Sequence, residues 1–162
     1  MGQDFALATL THAHLGEPSF GIAPGAGELR MTLRSQTDAR MDQMVADAEA
    51  LLRQTFDPQE GLSATVSWHE VFLATVNGPD AVGIAAGAAE RLGLAQQSMA
   101  APMRWSEDFG RFGLDGAEAA MLFIGSGEDQ PQLHNPNFDF PDTLTPIGVS
   151  LLVETIDRIL SS

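Results

Sequence analysis

The chain of 162 residues contains no cysteine. That excludes a disulfide framework and thiolate chemistry, and leaves histidine and carboxylates as the groups that could bind a metal. Lysine is absent too, and the eight basic residues are all arginine. Against 22 acidic residues they leave a formal charge of −14, which argues against nucleic acid or an anionic membrane as partner. No apolar run reaches the length of a membrane span. The opening MGQDFALATLTHAH lacks a basic n-region and enters a strand-like pattern at once, so a signal peptide is not expected. A soluble, cytoplasmic protein is the expectation. The hydrophobic fraction of 44% suits a chain with a core, and the length suits one domain or two small ones.

What is present begins with alternation. Phe5 to Thr11 favours a strand, and His12 and His14 beyond it share one face. An H-x-H pair can bind metal, but no third ligand is near in sequence, so a polar strand end is the plainer reading. Gly16 to Gly27, with two prolines and four glycines, turns the chain. Glu28 to Arg34 alternates cleanly, with Leu29, Met31 and Leu33 on one face. Ser35, Thr37 and Asp38 then supply cap chemistry for a helix with a stripe of Met41, Met44, Val45, Ala48, Leu51, Leu52 and Phe56. Asp57-Pro58 stops it. Leu62 to Val71 resumes the alternation as a third strand, placing Ala64, Val66 and Trp68 together. Strand, strand, helix, strand is part of an α+β sandwich.

Asn77-Gly78-Pro79-Asp80 marks a boundary, giving a division into 1–76 and 77–162. Pro79 suits the first helical position, and Val82, Ala85, Ala86, Ala89 and Leu92 form a stripe that Gly93 closes. Ala119 to Ile124 reads as a strand buried on both faces, left by the loop GSGED and followed by Leu133-His134-Asn135-Pro136. Thr145-Pro146 opens a last helix with a stripe of Ile147, Leu151, Leu152, Ile156, Ile159 and Leu160, which needs a sheet to cover.

Few residues carry chemistry. Loops leaving strand ends are where ligands and metals sit in α/β sheets. His134 is therefore either a metal ligand or a loop histidine without special work. As a ligand it would need a partner on its other ring nitrogen, for which Asn135, Asp139 and Asp142 are neighbours. Glu107 and Asp108 follow Ser106 as the acids of a plain helix N-terminus would. Arg34 lies on the polar face of its strand, where a solvated arginine is the plain reading and a carboxylate clamp the functional one. Gly125 and Gly127 are not followed by a P-loop lysine, so nucleotide binding is rejected.

Ser106-Glu107-Asp108-Phe109-Gly110, then the Gly-rich strand end, then Leu133-His134-Asn135-Pro136 and Phe138-Asp139-Phe140-Pro141-Asp142 resemble the C-terminal segment of the aminoacylase and carboxypeptidase-type metallohydrolases. These are binuclear zinc exopeptidases that include N-acyl-amino-acid amidohydrolases with an inserted dimerisation domain. The resemblance implies an α/β and α+β fold: part of a ferredoxin-like dimerisation (lid) domain over 1–76, and the C-terminal part of a zinc-exopeptidase-like catalytic sheet over 77–162. It implies that His134 is the last metal ligand, with zinc or manganese as cofactor of the complete enzyme. It places Glu107 and Asp108 beside the metal cleft, orienting groups there without binding the ion. Arg34 would clamp a substrate carboxylate, reaching into a partner subunit's site. Many relatives have Asn where this chain has Gly21, so the substrate contact made by that Asn is not carried over.

The resembling enzymes also use an H-x-D motif, a bridging Asp and a Glu-Glu pair, and this sequence has neither H-x-D nor Glu-Glu. A catalytic zinc site takes three protein ligands or more, so the chain is expected to be inactive alone and to bind little or no metal. The complete enzyme would cleave an amide bond of an N-acyl amino acid or small peptide through a metal-activated water. Other classes stay open. The chain could be a non-catalytic self-associating module, with Ala119–Ile124 as an apolar edge that invites another copy. It could be a subunit completing a site with a second chain, or a small-molecule binding protein using Arg34 and the GSGED loop.

Overall fold

The computed structural model describes residues 5–105 and 107–161. Alternating residues build its two-stranded sheet, β1 (Ala6–Leu15) and β2 (Gly27–Ser35), paired antiparallel from Ala6 opposite Ser35 to Leu15 opposite Gly27. The first strand runs beyond Thr11 and takes in both histidines. Register shifts between Leu10 and His12, and the bulged Thr11 hydroxyl donates to the Arg30 carbonyl at 3.1 Å. The intervening loop closes where the Gly16 N–H donates to the Ala26 carbonyl at 2.9 Å. Gly16 has φ +54°, and a β-carbon there would stand 2.8 Å from Pro24 Cβ, so this turn needs glycine on both counts.

Helix α1 (Asp38–Phe56) starts where its cap chemistry puts it: the Thr37 hydroxyl accepts from the Arg40 N–H at 3.3 Å. Asp57 caps the other end, its N–H donating to the Arg53 carbonyl. Met41, Met44, Val45, Ala48, Leu52 and Phe56 are half-buried, whereas Leu51 is exposed. The third strand expected at Leu62–Val71 is not formed, and Leu62, Val66 and Val71 are exposed. Alternation supplies a face, but a ladder needs a neighbouring backbone edge. Here side chains of α1 hold the returning segment instead. Glu49 accepts from Trp68 Nε1 at 3.1 Å, and Asp38 accepts from the Ala74 N–H at 2.7 Å.

The chain divides into two compact units: Met1–Ala74 with Ala100–Asp108, and Thr75–Met99 with Phe109–Ser162. In the second, α2 (Pro79–Arg91) begins with Pro79 at its first turn and Gly78 as cap. The exposed Glu118 carboxylate lies against Gly78 and would have to swing aside for a β-carbon there, and the Gly78 N–H donates to the Ala119 carbonyl at 2.8 Å. Helix α3 (Leu144–Leu160) packs on α2, opening one residue before the expected Thr145. The buried residues are Ala85, Ala88, Ala89 and Leu151, with Leu94 packed against them. Arg91 Nε stands 3.4 Å from Glu154 Oε1, an ion pair from α2 to α3.

This core departs from the expected stripes. Ala88 replaces Val82 and Leu92 on the buried face of α2, because contact with α3 selects the smallest side chains. Leu151 is the buried member of the α3 stripe; Leu152, Ile156, Ile159 and Leu160 stay exposed for want of a covering sheet. A 3₁₀ segment, Asp108–Gly116, is broken by non-helical Leu114 and by Asp115 at φ +58°. Ala119–Ile124 is not in a ladder and is not buried on both faces: Leu122, Phe123 and Ile124 are 43%, 54% and 39% exposed. A strand of this kind is buried by neighbours on its sheet, and among the described residues it has none. The result is a small mixed α/β arrangement in which β1 and β2 form the sheet. No helix among the described residues is long and apolar enough to cross a membrane.

Candidate functional site

Two turns position His134. The Asn135 N–H donates to the Gln132 carbonyl at 3.0 Å, and the Phe138 N–H donates to the Asn135 carbonyl at 2.9 Å. Gln130 Nε2 donates across the base of this loop to the Asp139 carbonyl at 2.5 Å. Within it His134 has φ +73°, in the left-handed region. Histidine tolerates that region better than most residues, but the position still costs a non-glycine residue about 1–2 kcal/mol. Strain of this order persists where surrounding bonds over-determine the backbone. Here the two turns and the Gln130 bond do so.

The ring of His134 is exposed, and none of Asn135, Asp139 or Asp142 hydrogen-bonds it. The expected second partner for a ligating imidazole is therefore not formed from these neighbours. Among the described residues no group of three or more His, Asp or Glu stands where it could hold a metal ion. A divalent cation takes more ligands than one exposed imidazole, so these residues do not fit a metal by themselves.

Glu107 and Asp108 lie at the start of the 3₁₀ segment, both exposed, with Asp108 in its first turn. Ser106, the expected cap of that turn, lies outside the described residues. Glu107 and Asp108 belong to the first compact unit and His134 to the second.

Arg34 is not a simple solvated arginine. It is half-buried on β2, opposite Leu7, and its Nη1 donates to the Arg104 carbonyl at 3.0 Å. That bond joins residues 70 apart in sequence and ties β2 to the segment that leads into Glu107. Arg104 in turn stacks over the Phe5 ring, 5.7 Å from its centre. Arg34 and the acidic pair are thus brought into one unit.

His12 and His14 stack with ring centres 6.5 Å apart, as expected for two positions on one strand face. Across the ladder they stand opposite Arg30 and Glu28. Glu28 and Arg30 form an ion pair, and the Arg30 hydrogen bond and charge hold the Glu28 carboxyl below its ordinary value of 4.5. The arrangement is a polar strand end.

Asn77 was not singled out by sequence reasoning. Its amide oxygen accepts from the Met121 N–H at 2.9 Å, and its amide nitrogen donates to the Met121 carbonyl at 3.1 Å. One side chain thereby does what a neighbouring strand would do for that residue. Its place just before the Gly78-Pro79 cap was the one available signal, and it does not reveal a partner 44 residues away.

The family model described as Peptidase family M20/M25/M40 matches residues 3–158. No curated protein and no solved structure matches the chain.

Proposed function

We propose, for a chain that belongs to peptidase family M20/M25/M40, that it is the C-terminal portion of a metal-dependent hydrolase cleaving N-acyl amino acids or small peptides. The observation that carries this is the family match, which spans the loop holding His134 at φ +73°. Family membership supports a hydrolase of the aminoacylase and carboxypeptidase type, a group that is generally metal-dependent. The finer assignment follows the resemblance. Residues 1–76 correspond to part of a dimerisation domain, and 77–162 to the end of a catalytic domain.

The sequence has neither H-x-D nor Glu-Glu, so in this reading the chain by itself is inactive. His134 is offered to a site whose other ligands come from elsewhere, either a second chain or a partner copy. By the resemblance, Glu107 and Asp108 would border a metal cleft, and Arg34, already fixed by the Arg104 carbonyl, would receive a substrate carboxylate in a partner subunit's site. Zinc or manganese suits the histidine and carboxylate ligands available to a chain without cysteine. A cytoplasmic location accords with the same reading.

The test is complementation. The purified chain is mixed with a polypeptide of the same family that carries H-x-D and Glu-Glu motifs, and hydrolysis of N-acetyl amino acids is followed with zinc or manganese present. The expected result is no turnover by either chain alone and turnover by the mixture that is lost with His134→Ala. Turnover by this chain alone, or turnover indifferent to His134→Ala, would overturn the reading. Failure of every mixture while the chain self-associates would favour the non-catalytic module.

A further inference from the structure

Three asparagines occur in the chain, and the residue after each decides what its side chain can undergo. An asparagine is lost to its own backbone when the nitrogen of the next residue attacks its side-chain carbonyl carbon. Asn135 precedes Pro136, which has no N–H to give up. Asn137 precedes Phe138, whose side chain crowds the approach and whose N–H is bonded to the Asn135 carbonyl at 2.9 Å. Asn77 precedes Gly78, where no side chain obstructs the attack and the backbone turns freely.

In the folded chain both reacting groups are held. The Asn77 amide is bonded through its oxygen and its nitrogen to Met121, at 2.9 and 3.1 Å, and the Gly78 N–H donates to the Ala119 carbonyl at 2.8 Å. That hydrogen is the one that must leave before the nitrogen can attack. The Glu118 carboxylate against Gly78 opposes its loss, because a negative charge disfavours the forming of another beside it. The Met121 N–H on Oδ1 would favour attack at the carbonyl carbon, but the tied Gly78 nitrogen supplies none. These contacts all run to one segment, 118–121, while Asn77 itself is exposed. Lifting of that segment is enough to free both groups.

We propose that Asn77-Gly78 is a self-modification site, restrained by residues 118–121 and committed once they lift. The Gly78 nitrogen bonds to Asn77 Cγ, the Cγ–Nδ2 bond breaks, and the Gly78 proton departs with Nδ2 as ammonia. Water then opens the cyclic imide at either carbonyl and leaves aspartate or isoaspartate, with nothing oxidised or reduced. A carboxylate does not donate to the Met121 carbonyl, and isoaspartate also lengthens the backbone by a methylene. The segment therefore does not dock again as before. The reaction needs neither metal nor partner.

The full chain is held in mildly alkaline buffer across urea concentrations below and above its unfolding transition, and the mass gain at each asparagine is located by peptide fragmentation. Asn77 should convert ahead of Asn137, and two ordinary hydrogen bonds should make it roughly thirtyfold slower in the folded chain than in the unfolded one. Below the transition the rate should stay nearly flat, because local lifting exposes little surface. Met121→Pro, which lacks the N–H that Asn77 accepts, should speed conversion about fivefold. The converted chain, separated by its added negative charge, should exchange the Met121 amide hydrogen faster than the parent. A folded chain that converts no slower than the unfolded one would overturn the proposal. So would a rate that climbs steeply with the first urea, which marks global unfolding as the route, or Asn137 converting first. Unchanged Met121 exchange after conversion, or a folded Met121→Pro no faster than the parent, would overturn it too. The urea series uses the native chain alone and decides the matter even where Met121→Pro does not fold.

Discussion

Replacing Asn77 by alanine removes the two hydrogen bonds, 2.9 and 3.1 Å, that hold Met121 in place of a strand neighbour. A typical intramolecular hydrogen bond contributes about 1 kcal/mol net, so the pair accounts for about 2 kcal/mol. Met121 is half-buried, so its freed N–H and carbonyl are only partly rehydrated. That keeps the loss from shrinking toward zero. For a chain of this length about 2 kcal/mol corresponds to a fall in Tm of roughly 4–8 °C. Asn77→Asp keeps an acceptor for the Met121 N–H but sets a carboxylate against the Met121 carbonyl, so it should not restore stability. The assay is urea unfolding followed by far-ultraviolet circular dichroism, which reports α2 and α3 together with α1, with hydrogen exchange at the Met121 amide. Trp68 and Trp105 both lie in the first unit, so their fluorescence should change less than the helical signal. A loss under about 0.5 kcal/mol, with Met121 exchange unaltered, would refute the role given to Asn77.

Other perturbations address separate parts of the molecule. Leu151→Ala, in the small core against Ala88 and Ala89, should cost about 2–3 kcal/mol, the low end for a buried leucine because its neighbours are small, as read from thermal unfolding. His134→Val, forcing a β-branched residue into φ +73°, should lose about 1–2 kcal/mol, whereas His134→Gly should be no less stable than the parent. Carbon-detected titration should place the Glu28 carboxyl midpoint below 4.5, and Arg30→Gln should raise it. Because the folded value is depressed, the Glu28–Arg30 interaction favours the fold above the ordinary glutamate range and fades as pH falls through the lowered midpoint.

Local signals were the legible ones. Thr37 and Pro79 sit where cap chemistry and ring geometry dictate, so α1 and α2 begin within a residue of where the sequence places them. Strand alternation around Leu29, Met31 and Leu33 was equally readable, because β1 supplies the edge it needs. The runs at Leu62–Val71 and Ala119–Ile124 carry the same kind of pattern but, among the described residues, belong to no ladder, and pattern alone does not create one. Groups far away in sequence contact them instead: the Glu49 side chain bonds Trp68 in one, and the Asn77 side chain and the Gly78 N–H bond Met121 and Ala119 in the other. Arg34 shows the same limit at the site: its strand face was legible, its bond to the Arg104 carbonyl was not. His134 was marked by its loop and motif, while its left-handed backbone depends on the turns around it.

The most direct measurement is calorimetric titration of the purified chain with zinc and with manganese, repeated on His134→Ala and on a His12→Ala, His14→Ala double variant. One exposed imidazole without assembled partners should give weak binding or none, with any residual zinc uptake following the stacked His12–His14 pair. Tight stoichiometric binding by the native chain that disappears in His134→Ala would contradict this, and would mean that a complete metal site forms from this chain alone.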